Sequence, residues 1–552
     1  MKHKKYLFLV LLLSAFSFYR LIRPGYFPMH DDMQTTRVMQ MDKCLRDGQF
    51  PCRWVPDLGF GYGYPLYIFY SPLAYYVMEV FHLIGFSFIA SVKIVFILSF
   101  IFAGASMFVL GQALWGNLGG LVSAMFYVYA PYRASDVYSR GAVGEFWALI
   151  FLPLILWSIL NLIKNEKQKK SIIYLSLSVT GLLLSHNLTI IAFTPIAALW
   201  TLVFLFLYYK KGIIKKIILA VALGVGLSAF YLIPMIAEKS YVHIDSMTSG
   251  YFNYLAHFVS LKQLFLNGHW GYGSSELGPY DDLSFQIGVI HWLIVLISLV
   301  LAFIKKKRNK IDRIIIVFLS IVFITAIALC HSKSTFIWQT ITPMKYFQFP
   351  WRFLTMAILS SSIIAGFPLK IIKNKRRARQ LTALLIFLLI FFYSRFFSPS
   401  QWLNIKDQDK FSGENWKNQQ TMSIFDYLPI FASAPPASPA PQEPQIIHGQ
   451  ANIINFQKGT NWQKGEVDVS QPATIQLPLF FYPGFKLWLN QKETDFSYQN
   501  QLGLITFNLP SGRHQFLVKL TSTLDRKIGD TISLISILVL IYLFYAIKKE
   551  KK

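Results

Sequence analysis

The chain has 552 residues, of which 54% are hydrophobic and only 14% charged, and its formal net charge is +26. Apolar runs long enough to span a membrane recur along it, which excludes an ordinary soluble protein and predicts a polytopic membrane protein. The basic residues stand in short clusters between those runs, as the positive-inside rule expects. We therefore predict no nucleic-acid partner.

Clusters of Lys and Arg predict which side of the membrane each connection faces. Six clusters are placed in the cytoplasm: KHKK at 2–5, KNEKQKK at 164–170, KKGIIKK at 210–216, KKKRNKIDR at 305–313, KIIKNKRRAR at 370–379 and KKEKK at 548–552. The predicted crossings are 6–22, 88–111, 117–131, 144–163, 171–186, 188–209, 217–236, 286–304, 314–330, 352–371, 380–397 and 528–547. The predicted fold class is mainly α, with about 12 transmembrane helices and both termini inside.

A thirteenth apolar run, LYIFYSPLAYYVMEVFHLIG at 66–85, is predicted not to cross. It contains Pro72, Glu79 and His82 and is rich in Tyr, which suits a helix at the outer interface better than one facing lipid. Residues 23–87 then form one long outer loop.

The cysteine pattern shows no metal or redox motif. Cys44 and Cys52 fall together in the outer loop, where a disulfide is open, and Cys330 in an apolar run is interpreted as packing.

The chain changes character after the membrane domain, which we assign to 1–397. Residues 398–444 are predicted to be an extracytoplasmic linker, Pro/Ala-rich at 432–444, which has too little apolar surface to pack a core. Alternating stretches broken by turn residues follow, and they predict a small β-sandwich at 445–525 outside the membrane. The helix at 528–547 would tether it.

The first outer loop contains the stretch GYFPMHDDMQTTR, with two adjacent carboxylates at the membrane surface. Asp31 and Asp32 are the candidate catalytic pair, because such a pair can hold a divalent cation, or one acid can act as general base while the other orients it. The alternative is that either aspartate caps a helix that starts near Met33.

The rest of this loop, DGQFPCRWVPDLGFGYGYPLYIFYSPLAYY, is dense in Gly, Pro, Trp and Tyr. Its aromatic side chains could form the floor of a sugar or lipid groove, and an interfacial aromatic belt is the equal alternative.

Further polar side chains are predicted on the same outer face, and four of them are basic. They are Arg133, Arg140 and Glu145 in YRASDVYSRGAVGEFWA, His186 in SHNLT, and Lys345 and Arg352 in KYFQFPWRF. An arginine there could bind a phosphate in fork geometry. The alternatives are an internal Arg140–Glu145 ion pair, a structural histidine and a snorkelling interfacial arginine.

The predicted spans contain no Asp or Glu near their middles. Coupling sites of proton- or ion-driven transporters normally lie at the midplane, so this pattern argues against that class.

The order of motifs resembles a known family. HDD, DGQFPCRW, GYGYPLYIFYSPLAYY, YSRGAVGEFWA, SHNLT, QFPWRF and the late FFYPGFKLWLNQK and LPSGRHQFLVKL together resemble the bacterial YfhO-like membrane proteins, including those labelled 6-pyruvoyl-tetrahydropterin synthase-related. The likeness covers nearly the whole chain. The pterin label implies no pterin chemistry here, because no soluble domain with a zinc-binding histidine set is present in the sequence.

That resemblance implies a place in the GT-C glycosyltransferase superfamily, whose members take a sugar from a polyprenyl phosphate or pyrophosphate at the outer face of the membrane. It assigns the acidic motif to Asp31 and Asp32, as base or as ligands of a divalent cation such as Mg²⁺ or Mn²⁺, with His30 beside them. Arg140 and Glu145 match the family's Arg-Gly-x-x-x-Glu, and Arg352 matches its Phe-Pro-Trp-Arg.

The implied partners are the bilayer, a polyprenyl-phosphate-linked sugar and a cell-envelope glycan, lipid or protein acceptor. The implied location is the bacterial plasma membrane, with the β-domain outside. Two other functions stay open, a lipid or polysaccharide transporter and a non-catalytic scaffold of envelope biogenesis.

Overall fold

The structure, a computed structural model, describes residues 2–165, 170–266, 268–276, 280–304 and 310–549. Parts of three predicted basic clusters, at 166–169, 305–309 and 550–552, lie outside the described residues. The chain is mostly helical, with an antiparallel sheet near its C-terminus.

Most of the predicted apolar runs lie in long helices. Eight helices of the described residues are long and apolar enough to cross a membrane: Lys4–Ile22, Phe88–Val128, Val143–Lys164, Asn187–Tyr208, Lys310–Cys330, Pro350–Ile371, Lys375–Phe396 and Leu524–Lys549. A ninth candidate is the bent pair Ile213–Leu227 and Ala229–Ala237, and shorter apolar helices are Leu73–Leu83, Lys170–Leu183 and Val289–Ile304. The chain is therefore a membrane protein, while the count of twelve crossings stays a prediction.

The helix Phe88–Val128 is interrupted at Gly116, whose φ is +81°. A Cβ on Gly111 would lie 3.0 Å from the Cα of Gly120, so the two arms fold back on each other with little space between them. This break explains why the sequence shows two apolar runs, 88–111 and 117–131, where one continuous helix would be far longer than a bilayer needs.

The run at 66–85 forms two short helices, Leu66–Phe69 and Leu73–Leu83. Eleven residues of helix rise about 16 Å, which is too short to cross the hydrocarbon core. The first outer loop also contains the helix Gln34–Arg46 and the disulfide Cys44–Cys52, so the pairing that the sequence left open is present.

Several short helices lie between the long helices and at their ends. They are Pro131–Ser135, Asp136–Arg140, Leu261–Phe265, Thr335–Thr340, Asp407–Lys410 and Gly413–Thr421, with short 3-10 turns at Lys239–Tyr241, Ile244–Thr248, Gly250–Phe252, Tyr254–His257, Thr342–Phe347 and Ile424–Asp426.

The C-terminal sheet has six antiparallel strands: β1 Gln445–Lys458, β2 Trp462–Phe480, β3 Phe485–Leu489, β4 Lys492–Thr494, β5 Leu504–Leu509 and β6 Gly512–Leu520. Their order is β1-β2-β6-β3-β4. The long β2 pairs with β6 in its first half and with β5 in its second half. Strand pairing thus forms one connected network, and a two-layered sandwich stays a prediction.

The sheet is packed against the first outer loop. Trp54 of the loop is fully buried and contacts the rings of Tyr482 and Phe485, with centroids 5.7 Å and 5.2 Å away. The Phe480 N–H donates to the Tyr62 carbonyl at 3.0 Å. Backbone bonding and aromatic packing therefore fix the sheet to the loop that carries the acidic motif.

Candidate functional site

The acidic motif is joined to the turn after the third predicted span through the backbone. The His30 N–H donates to the Ser139 carbonyl at 2.8 Å, and the Asp31 N–H donates to the Arg140 carbonyl at 2.9 Å. Two motifs that are more than a hundred residues apart in the chain are therefore in direct contact.

Gly141 makes this junction sterically feasible. Its φ is +67°, and a Cβ there would lie 2.2 Å from the Met29 sulfur. Its carbonyl accepts a hydrogen bond of 2.8 Å from the Gln34 amide. A glycine is required because an L side chain would meet both an unfavourable backbone angle and a clash.

Asp31 is held by three donors yet stays in contact with solvent. Its Oδ2 accepts from Arg37 Nη1 at 2.8 Å, from Gln34 Nε2 at 3.0 Å and from the Tyr70 hydroxyl at 3.4 Å. The Asp31 side chain is 30% exposed, whereas that of Arg37 is only 4% exposed. The carboxylate is thus oriented by a buried guanidinium and remains open to a ligand.

The helix after the motif begins at Gln34, and no side chain caps its N-terminus. Asp31 and Asp32 therefore do not cap this helix. Each forms an ion pair instead, Asp31 with Arg37 and Asp32 with Lys410.

Asp32 is more enclosed than Asp31. Its Oδ2 forms an ion pair with Lys410, whose side chain is 8% exposed. Its Oδ1 is buried without a hydrogen-bond partner among the described residues. Burial raises the pKa of Asp32, and the Lys410 ammonium opposes that rise.

A second cluster of charged groups lies directly behind the motif. Arg140 Nη2 is 3.0 Å from Glu145 Oε2, and its Nη1 forms an ion pair with Asp136. Arg352 Nε is 3.9 Å from the same Glu145 oxygen. The Arg140–Glu145 ion pair, one of the alternatives drawn from the sequence, is therefore present.

Uncharged groups complete the surroundings of Glu145 and Arg140. Glu145 Oε1 accepts from the Tyr132 hydroxyl at 2.9 Å and from the Thr355 hydroxyl at 3.0 Å. The Arg140 guanidinium lies 4.5 Å from the centroid of the Trp351 ring. The surrounding side chains therefore hold the Arg140 guanidinium in a fixed position.

Arg352 is the less satisfied of the two arginines. Its Nη1 donates to the Phe347 carbonyl at 2.8 Å and to Gln348 Oε1 at 3.0 Å. Its Nε is buried and has no hydrogen-bond partner among the described residues. Burial, together with the charge of Glu145, raises the pKa of Asp136, an effect that Arg140 opposes. The Arg352 Nε is thus a donor that an anion placed next to it would satisfy.

His186 ends the fifth predicted span, and Lys345 lies in the 3-10 turn Thr342–Phe347, which precedes Arg352. His186 Nδ1 is 2.7 Å from the Thr189 hydroxyl. The Lys345 ammonium lies 5.3 Å from the ring of its neighbour Tyr346.

The structure encloses Arg133 separately from the acidic motif. Its guanidinium is fully buried among the rings of Phe100, Tyr127 and Phe146, at 4.5 to 5.2 Å from their centroids. Its three nitrogens have no hydrogen-bond partner among the described residues. Arg133 therefore makes cation–π contacts within the protein. Its role in binding substrate stays a prediction.

Asp426, which the sequence did not single out, lines the same cleft as Arg37 and Tyr70. Burial raises the pKa of Asp426 to about 6, an effect opposed by Arg37 and reinforced by Asp31. A carboxyl group from the segment after the eleventh predicted span thus adjoins the first outer loop. No motif in the sequence marks Asp426, because it comes close to Arg37 and Tyr70 only when the chain is folded.

A divalent cation does not fit the acidic motif as the structure has it. Each aspartate already has a cationic partner, Arg37 for Asp31 and Lys410 for Asp32. The described residues contain no group of three or more His, Cys, Asp and Glu side chains that could hold a metal ion. Such ions need several oxygen ligands, so we assign no step to a metal.

Residues 67–398 match the family described as "6-pyruvoyl-tetrahydropterin synthase related domain; membrane protein". This match covers more than half of the chain, which therefore belongs to that family. The resemblance to the YfhO-like membrane proteins that the motifs indicate is confirmed. The acidic motif and the C-terminal sheet lie outside the matched residues.

A protein of Lactococcus lactis subsp. cremoris (strain MG1363), described as uncharacterized, is 28% identical over 258 residues, which are 44% of this chain and 39% of that protein. Among solved structures, the arabinofuranosyltransferase AftD from Mycobacteria aligns with a TM-score of 0.47 and 10% identity, covering 73% of this chain and 28% of AftD.

The Archaeoglobus fulgidus oligosaccharyltransferase aligns with a TM-score of 0.43 and 12% identity, covering 73% of this chain and 56% of that enzyme. ArnT from Cupriavidus metallidurans, solved with undecaprenyl phosphate, gives 0.40 and 12%, covering 70% and 63%. The chain spans less than two thirds of the length of each of these proteins. Similarities of this level identify neither a substrate nor an acceptor for this chain.

Proposed function

We propose that this protein is an integral membrane glycosyltransferase of the GT-C type, which transfers a sugar from a polyprenyl-phosphate carrier to a cell-envelope acceptor at the outer face of the bacterial plasma membrane. The observation that carries the proposal is the contact between Asp31, an oriented and partly exposed carboxylate, and the arginine cluster behind it. Such a site combines a base with a place for a phosphate.

In the proposed reaction, Asp31 accepts the proton of an acceptor hydroxyl as the oxygen attacks the anomeric carbon. The bond from that carbon to the carrier phosphate breaks, and the phosphate oxygen keeps the electron pair. Direct displacement inverts the carbon.

Arg352 stabilises the charge that develops on the leaving phosphate, because its buried Nε has no hydrogen-bond partner among the described residues and can donate to the leaving oxygen. Arg140 and Glu145 hold the position of Arg352, and the acceptor approaches from the exposed side of Asp31.

The test is a transfer assay with purified protein in lipid vesicles and a panel of radiolabelled polyprenyl-phosphate sugars. The wild type should release sugar from its donor, and the Asp31→Asn/Asp32→Asn variant should not. Asp57→Asn is a matched control, since Asp57 is a loop carboxylate paired with Lys43. Equal release by the double variant would refute the proposal, and movement of intact labelled lipid across the vesicle would indicate a transporter.

Substitution of Arg352 by Lys should weaken donor binding. Lysine keeps the charge but lacks Nε and the planar fork, so we expect the KM for the lipid-linked donor to rise about tenfold. Initial rates over a range of donor concentrations measure this. Lys333→Ala, at an exposed lysine between the ninth and tenth predicted spans, should leave the KM unchanged. An unaltered KM in Arg352→Lys would exclude Arg352 from the phosphate site.

A further inference from the structure

Residues 402–420, which we call the strap, follow the first outer loop closely. At its start, Tyr26 and Leu403 exchange backbone hydrogen bonds of 2.9 Å and 2.7 Å, and Trp402 Nε1 donates to the Pro24 carbonyl at 2.6 Å. The strap therefore adds a short extended segment to the chain just before the acidic motif.

The middle of the strap is fixed to the start of the second predicted span. Asp407 accepts from the N–H groups of Phe88 and Ile89 at 2.8 Å and 3.0 Å, which satisfies two orphan donors at that helix end. Phe411 packs edge-on against Phe88, with centroids 5.6 Å apart. These contacts lie on both sides of Lys410 in the sequence.

The end of the strap is fastened too. The Thr36 hydroxyl donates to Gln419 Oε1 at 2.7 Å, and the Phe60 N–H donates to the Gln420 carbonyl at 3.1 Å. The strap is thus secured before, beside and after Lys410 and has little freedom to move that side chain away.

The strap places the side chain of Lys410 next to the acidic motif. Its ammonium pairs with Asp32 and lies 5.0 Å from the centroid of the Tyr26 ring, and its side chain is 8% exposed. A buried ammonium needs such a partner, and a buried carboxylate equally needs a cation. The pair is therefore built into the fold.

We propose that Lys410 is a positioning residue that holds Asp32 and occupies the place a divalent cation would otherwise take, so that the transfer reaction needs no metal ion. This inference rests on the proposed function. A doubly charged ion at Asp32 would meet the fixed ammonium at close range, and the repulsion would oppose its binding. Removal of the ammonium would leave Asp32 beside Asp31 as an unpaired acid able to recruit such an ion.

The experiment measures Mn²⁺ binding by electron paramagnetic resonance on the full chain in lipid nanodiscs, and it requires no transfer activity. Wild type and Asp32→Asn should bind the same small amount of Mn²⁺. Lys410→Met should gain about one Mn²⁺ per chain, which Lys410→Met/Asp32→Asn should lose again. Lys410→Arg, which keeps the positive charge, should behave as wild type, and so should the neighbouring control Lys406→Met.

Binding of Mn²⁺ by the wild type that disappears in Asp32→Asn would overturn the proposal. So would a folded Lys410→Met variant that gains no Mn²⁺. If Lys410→Met does not fold, the comparison of wild type with Asp32→Asn still decides. Because these readouts involve binding alone, a protein without transferase activity would fail the assay of the proposed function and not this one.

Discussion

Asp31→Asn is expected to lower the rate of sugar transfer by about 10²- to 10⁴-fold, the range that a general base contributes. The amide has nearly the shape of the carboxylate but cannot accept the proton of the acceptor hydroxyl. It also leaves the guanidinium of Arg37, which is 4% exposed, without its anionic partner. The measurement is the initial rate of transfer of labelled sugar with saturating donor.

Asp32→Asn is the informative comparison for this variant. Asp32 is enclosed and bound to Lys410, so its loss should disturb the position of the motif and reduce the rate less than the loss of Asp31. Thermal unfolding of both proteins controls for stability. A variant Asp31→Asn that transfers at the wild-type rate would remove Asp31 from the role of base.

The helical part of the fold was accessible from the sequence because membrane spans are local signals. The apolar runs 88–111 and 117–131 were separated correctly around Gly116, where a backbone with φ of +81° interrupts the helix. The short helix Leu73–Leu83 likewise follows from Pro72 and the polar residues of its run. Each of these features depends on residues within one or two turns of each other.

The composition of the site was only partly accessible. The motifs around Asp31 and Arg140 could be picked out from their residue types, and the structure joins them through the backbone. Nothing in the sequence indicates that Lys410 reaches Asp32, since 378 residues separate them. Arg37 follows Asp31 by six residues, but its burial beside that carboxylate is a property of the fold.

The strands of the sheet could be predicted from the sequence, but their pairing could not. Alternation of apolar and polar residues predicts strands, because successive side chains point to opposite faces. It does not predict how strands pair, and β2, Trp462–Phe480, changes partner from β6 to β5 along its length. Docking against the first outer loop depends on Trp54, whose burial against Tyr482 and Phe485 is a tertiary event.

Arg526→Met is expected to lower the stability of the folded protein by about 3–5 kcal/mol, the cost of removing one partner of a buried ion pair. Arg526 and Glu238 are each 1% exposed and form two hydrogen bonds, of 2.7 Å and 2.8 Å. The same guanidinium donates to the carbonyls of Thr521 and Pro483, at 3.1 Å and 3.0 Å. It thus connects the sheet and the final helix to Glu238, which follows the helix Ala229–Ala237.

The double variant Arg526→Met/Glu238→Gln is the control, because it leaves no uncompensated buried charge and should recover part of the lost stability. Chemical unfolding of the solubilised protein, followed by Trp fluorescence, measures the wild type and both variants. Since the sheet packs on the loop that carries Asp31, the single variant should also lose transfer activity at temperatures below global unfolding. A stable and fully active Arg526→Met protein would show that the contacts between the sheet and the first outer loop hold the sheet against the site without Arg526.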